Sequence, residues 1–152
     1  MDNFDREILS VLQTDSRLTA EKIGDLVGLS SAAVQKRIKK MRDAKIILKE
    51  IAVLDPAKLN QNVTVIVEVS MNQENREVLD AFKKRMLHAP QVQQCYYTTG
   101  EADFIIIMVV KDMAEYTEFT HEYFFSTSQV NKFTSSVVMD RVKTELSIRV
   151  YE

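Results

Sequence analysis

Apolar residues recur at helical spacing through the first part of the chain and at every second position through much of the rest, so two kinds of structure are expected. Phe4, Ile8 and Leu12 lie four apart with Leu9 and Val11 beside them, which predicts a first helix from Asn3 to about Gln13. Asp15-Ser16-Arg17 interrupts it. Thr19 is placed to cap a second helix over 20–27, whose apolar positions are Ile23, Leu26 and Val27. Gly28 supplies the left-handed residue for a sharp turn, and Ser30 or Ser31 caps a third helix reaching about Ala44, with Val34, Ile38 and Met41 as its buried stripe. Two short helices joined by a brief Gly-containing turn make a helix-turn-helix.

Ile46-Ile47-Leu48 and Ile51-Ala52-Val53-Leu54 then read as a short extended segment closed by Asp55-Pro56, so 46–60 is expected to be a connecting strand and semi-rigid linker. Val63, Val65, Val67, Val69 and Met71 alternate with more polar residues, the two-residue period of a half-buried strand. A helix carrying Val78, Leu79, Phe82 and Met86 follows and stops near Pro90. Strands are expected at 92–98 and 104–110, the second apolar at every position and therefore covered on both faces. Asp112 and Glu115 form a capping box for a helix carrying Tyr116, Phe119, Tyr123 and Phe124. Residues 133–142 complete the set, with a short fifth strand at 146–150.

The order β-α-β-β-α-β is that of the ferredoxin-like unit. The chain is thus expected to be α+β, with an N-terminal (winged) helix-turn-helix domain over 1–45, a linker over 46–60 and a ferredoxin-like βαββαβ domain over 61–152. Both helices should cover one sheet face. The other face of strand 104–110 has nothing left in the chain to cover it, so a second subunit is expected there.

The net charge of −2 hides an asymmetry: residues 1–60 carry eleven Lys/Arg and nine Asp/Glu, a balance of +2, while 61–152 stand at −4. Lys36, Arg37, Lys39, Lys40, Arg42, Lys45 and Lys49 face only Asp43 within their own stretch, a local footprint for phosphates. On the third helix the outward residues near its start, Ser31, Ala32, Gln35 and Lys36 with Ser30 at the cap, are the candidates for base edges. Arg37, Lys39, Lys40 and Arg42 are the candidates for phosphates. No run of about 18 apolar residues is present to span a membrane. The start lacks a secretory pattern and Cys95 is the one cysteine, so a cytoplasmic protein without disulfide or thiolate metal cluster is expected.

Asp5-Arg6-Glu7-Ile8-Leu9, Leu12-Gln13, Asp15-Ser16-Arg17, Ile23, Leu26-Val27-Gly28-Leu29-Ser30, Val34 and Arg37-Ile38 carry a resemblance that continues through Leu54-Asp55-Pro56, Leu59, Gly100 and Asp103. In order and spacing the chain resembles the Lrp/AsnC family of leucine- and asparagine-responsive regulators over nearly its whole length. The resemblance implies double-stranded DNA as partner, dimers that assemble further into octamers or open helices, and an amino-acid effector held where subunits meet. It places the effector at Gly100-Glu101-Ala102-Asp103. Backbone N–H groups there can hold a carboxylate and Asp103 can answer an ammonium. Tyr97, Thr98 and Thr99 enter that turn, and Thr134, Ser135 and Ser136 offer hydroxyls to complete the site. Few surplus ionisable groups favour an apolar effector such as leucine or methionine.

Two other readings use the same residues. A DNA-organising protein without effector needs the same helix and dimer, and a tetrapyrrole decarboxylase-like enzyme would need haem-contacting histidines. His88 and His121 sit on separate helices without a third ligand at zinc spacing, so no metal or cofactor is expected. Cys95 reads as a small buried hydrophobe and the methionines mostly as core filling.

Overall fold

The structure is a computed structural model, which describes residues 1–72 and 75–151. It divides into two compact units, Met1–Val53 with Lys143–Glu152, and Leu54–Val142.

The first unit is helical: α1 (Asn3–Thr14), α2 (Ala20–Val27) and α3 (Ser31–Asp43). Local chemistry sets its punctuation. Asp2 and Asp5 exchange side-chain and backbone hydrogen bonds as a capping box at α1, the Thr19 hydroxyl accepts from Lys22 N, and Ser30 accepts from Ala33 N. Gly28 ends α2 with φ 73°, the left-handed turn that glycine adopts at no steric cost. Gly24 has a different reason: a Cβ there would sit 2.3 Å from the Leu29 carbonyl oxygen. Ile8, Ile23 and Val34, all fully buried, join Val27, Ile38 and Met41 in one core.

α3 ends with Ile46 N donating to Met41 O (2.9 Å) and Lys45 N donating to Arg42 O (3.0 Å). This is the Schellman arrangement, in which glycine normally takes the left-handed position. Here Lys45 takes it, at φ 58°. Lys45→Gly should therefore raise stability by about 0.5–1 kcal/mol, strain relief outweighing the greater freedom of glycine in the unfolded chain. A higher urea midpoint at unchanged slope is the expected result; a lower midpoint would show that the lysine side chain contributes more than its backbone costs.

The second unit holds a four-stranded antiparallel sheet in the order β2-β3-β1-β4, with β1 (Val63–Met71), β2 (Val92–Tyr97), β3 (Phe104–Val110) and β4 (Val130–Val137). The helices α4 (Arg76–His88) and α5 (Met113–Thr120) complete the ferredoxin-like order, and a π-helical turn, His121–Phe125, extends α5. On the helical side Val65, Val67, Val69, Phe104, Ile106, Met108 and Val110 are fully buried, against Leu79, Phe82 and Met86 of α4 and Tyr116, Phe119 and Phe124 beyond β3. Phe82 meets Phe104 with ring centroids 4.6 Å apart. On the open side the cross-strand pairs are Thr64 with Val109, Ile66 with Ile107 and Glu68 with Ile105. Ile105 and Ile107 remain only half-buried, so the second face of β3 is incompletely covered by this chain.

The structure departs from the sequence-based expectations in several places. Residues 48–55 form no strand, and the linker holds instead a short 3-10 turn, Ala57–Leu59. An extended segment becomes a strand only with a ladder partner, and Leu48, Ile51, Val53 and Leu54 are all exposed without one. No strand follows α3 to make a wing among the described residues. β4 starts at Val130 rather than Phe133 and ends at Val137 rather than Val142, because its partner β1 runs out: Val65 pairs with Val137, and Val138 N donates to Thr64 O as the last rung. The fifth strand is absent as well. Ile148 instead pairs both main-chain groups with the Gln13 amide, its N–H donating to Oε1 (2.8 Å) and its carbonyl accepting from Nε2 (3.0 Å), while Val150 packs on the helical core. Cys95 is exposed on the edge strand β2, and Met113 and Met139 are exposed too.

Candidate nucleic-acid interface and ligand turn

Val34, Ile38 and Met41 anchor α3 in its core, which turns Ala32, Gln35, Lys36, Lys39, Lys40 and Arg42 to solvent. Ser31 is half-buried and Ser30 is spent partly as the cap. The basic residues do not form the uncompensated stripe that their sequence neighbours suggest. Arg37 Nη1 reaches both oxygens of Asp2 (2.9 and 2.8 Å) and Asp5 Oδ1 (2.7 Å), and the guanidinium lies 5.6 Å from the Phe4 ring centroid. Arg42 makes a two-pronged pair with Glu50, at 3.0 Å from Nε and 2.9 Å from Nη2. Lys39 approaches Asp43 at 3.6 Å, one turn on. The compensating acids come from the start of α1, from the end of α3 and from the segment after it. Lys36 and Lys40, one turn apart, take part in no ion pair among the described residues.

The Asp5 amide and the Arg37 guanidinium hold the Asp2 carboxylate below its ordinary pKa. A depressed folded-state pKa means the contribution of this contact is present above the ordinary aspartate range and is lost as pH falls through the lowered value. Asp2 is therefore ionised at neutral pH.

The second predicted site lies where β2 passes into β3. Asp103 Oδ2 accepts from Met71 N at 2.7 Å, tying the turn to the end of β1. Across the turn's base Thr98 N donates to Asp103 O (2.9 Å) and the Thr98 hydroxyl to Ala102 O (2.5 Å). Glu101, Thr99 and Gly100 are exposed. Gly100 is notable for what it lacks: its φ is not left-handed, and a Cβ would meet nothing within 4 Å. Nothing in this chain's own packing calls for glycine there.

Tyr97 leaves the turn toward the helical side, its ring 5.2 Å from Phe104 and 4.9 Å from Lys83 Nζ. The three hydroxyls of β4 do not share a face. Ser135 pairs with Val67 on the helical side and hydrogen-bonds the Tyr116 hydroxyl, whereas Thr134 and Ser136 pair with Glu68 and Ile66 on the open side. Alternation along a strand requires this split. Two strands, β3 and β1, stand in sheet order between β2 and β4.

His88 Nδ1 meets the Lys84 carbonyl (2.7 Å) and His121 lies against Phe125. Among the described residues no group of three His, Cys, Asp or Glu could hold a metal ion, and no helix is long and apolar enough to cross a membrane.

Residues 1–42 match the AsnC-type helix-turn-helix domain and residues 64–148 the Lrp/AsnC ligand binding domain. The chain is 38% identical over 150 residues to an uncharacterized HTH-type transcriptional regulator, y4tD, of Sinorhizobium fredii, covering 99% of this chain and 89% of that one. A crystal structure of an AsnC family transcriptional regulator from Agrobacterium tumefaciens superposes with TM-score 0.91 at 32% identity, covering 97% of this chain and 96% of the other. The transcriptional regulator NMB0573 of Neisseria meningitidis, solved as a complex with L-Met, gives TM-score 0.90 at 28% identity with the same coverage. The matching domains and relatives are transcription regulators and not enzymes, which sets aside the tetrapyrrole decarboxylase reading. Both domain matches and the full-length relatives agree: the chain belongs to the Lrp/AsnC family of transcription regulators.

Proposed function

We propose that this protein is a cytoplasmic, sequence-specific DNA-binding regulator whose assembly or DNA affinity responds to a small amino acid bound at the Gly100–Asp103 turn between subunits. Two copies join through the open sheet face, and such dimers assemble further, in the family's manner, into an octamer or similar particle. Their α3 helices enter successive major grooves, Ser31, Ala32 and Gln35 toward base edges, with half-sites about 34–36 Å apart. Lys36 and Lys40 are the cations free to meet phosphates; Arg42, held by Glu50, positions the segment after α3 instead.

Gly100 carries the effector reading. A glycine that neither backbone conformation nor packing explains is accounted for when something outside the chain approaches its backbone closely. Asp103 beside it supplies an anionic partner for an ammonium, with Oδ1 left over from the bond to Met71. The L-Met complex of the Neisseria regulator supports an apolar amino acid such as methionine or leucine.

Thermal stability measured against each of the twenty amino acids tests this. A ligand of the folded state at about 100 times its dissociation constant adds about 2.7 kcal/mol, so one or a few apolar amino acids should raise the melting temperature selectively. A flat response to all of them would leave an effector-free DNA-organising regulator.

A further inference from the structure

Between the start of α1 and α3 runs an open groove of about 530 Å³, with Asp5 and Arg37 in its lining and Ala33, Lys36 and Lys40 along the α3 side. Its chemistry is uneven. The hydrogen bonds from Arg37 to Asp2 and Asp5 all leave from Nη1. A guanidinium carries five donors in a fixed fork, so the edge formed by Nε and Nη2 stays available for a second oxoanion. Lys36 and Lys40 stand on the same side of α3, one turn apart and exposed. The anchors of Arg37 differ in firmness. Asp5 is buried within α1, its side chain 12% exposed, while Asp2 lies at the helix end with its side chain 53% exposed.

We infer that this groove seats one backbone phosphate of the DNA, gripped by Arg37 between Lys36 and Lys40, and that Asp5 is the positioning residue that aims Arg37 at it. The inference rests on α3 being the DNA-binding helix. An arginine fixed by a carboxylate on one edge and an aromatic ring beneath loses little side-chain freedom when its other edge takes a phosphate. Asp5 is thus a negative charge that strengthens DNA binding, the opposite of what charge alone dictates.

That sign makes the test. Affinity of the full chain for a random-sequence duplex is measured between about 50 and 200 mM salt for the wild type and for D5N, D2N and R37Q. D2N removes one negative charge and leaves the Asp5 anchor, so affinity should hold or rise. D5N also removes one negative charge, yet affinity should fall roughly tenfold and the salt slope should shrink by about 0.9, one phosphate contact. R37Q should show the same loss, and the double variant D5N/R37Q no further loss. Where D5N fails to fold, R37Q and D2N carry the test through the same slope. A folded D5N or R37Q with wild-type slope overturns the phosphate seat, as does a D5N that binds more tightly; a wild type without salt-dependent DNA binding overturns the regulator reading itself.

Discussion

Ile107→Glu should leave the fold of a single chain nearly intact and yet turn the proposed dimer into a monomer. Ile107 is half-buried on the open sheet face, opposite Ile66 on β1 and between Ile105 and Val109 along β3. In an isolated chain a carboxylate there reaches water. In a two-fold pairing each copy presents the same patch, so two carboxylates would be buried together. The penalty is several kcal/mol per ion, and about 1.4 kcal/mol is tenfold, so the dimer dissociation constant should rise by about a thousandfold or more. Binding to paired half-sites should fall with it, because each monomer offers one α3. Sedimentation velocity across a dilution series reads the result directly. A variant that stays dimeric at wild-type dilution would place the interface elsewhere and remove the reason for the apolar strand.

Asp103→Ala should have two separable effects. The first is structural: Met71 N loses the acceptor it has at 2.7 Å. An orphaned, partly buried N–H costs about 1–2 kcal/mol, and each kcal/mol lowers the melting temperature of a unit this size by about 4–8 °C. The second is functional: the amino-acid-dependent rise in melting temperature should vanish. Asp103→Asn separates them. The amide oxygen still accepts from Met71, so most of the stability returns, but the negative charge facing the effector ammonium does not. If the alanine variant keeps the full thermal response, Asp103 is a fastener of the β1 end and not part of a ligand site.

How much could be read from the sequence follows from how local the determining interactions are. The helical unit was legible because its signals lie within a few residues of what they control: Thr19 and Ser30 each cap the helix that follows, and Gly28 turns the chain between two stripes in phase. The alternation in β1 and the unbroken apolar run of β3 likewise state their environment directly. What failed was non-local. The apolar residues at 46–54 and 146–150 resemble strands, but strand formation depends on a neighbour with free main-chain groups, and Ile148 finds the Gln13 amide 135 positions away in the chain. Arg37 looked uncompensated because its acids, Asp2 and Asp5, lie at the start of another helix. The division of Thr134, Ser135 and Ser136 between two faces follows from alternation alone once β4 is recognised as a strand. The Gly100–Asp103 turn was visible as spacing; its tie to Met71 required knowing that β1 ends beside it.

In the proposed mechanism α3 reads DNA and an amino acid alters the reading. The most direct test of that mechanism is the affinity of the full chain for a duplex selected from a random pool, titrated with and without the amino acid that raises the melting temperature most. The expected result is binding well above that of a random duplex at the same salt, to a site with two half-sites about one helical turn apart, changed by the amino acid about 5- to 150-fold. Affinity no greater than for random DNA, or the same affinity with and without the amino acid, would contradict it.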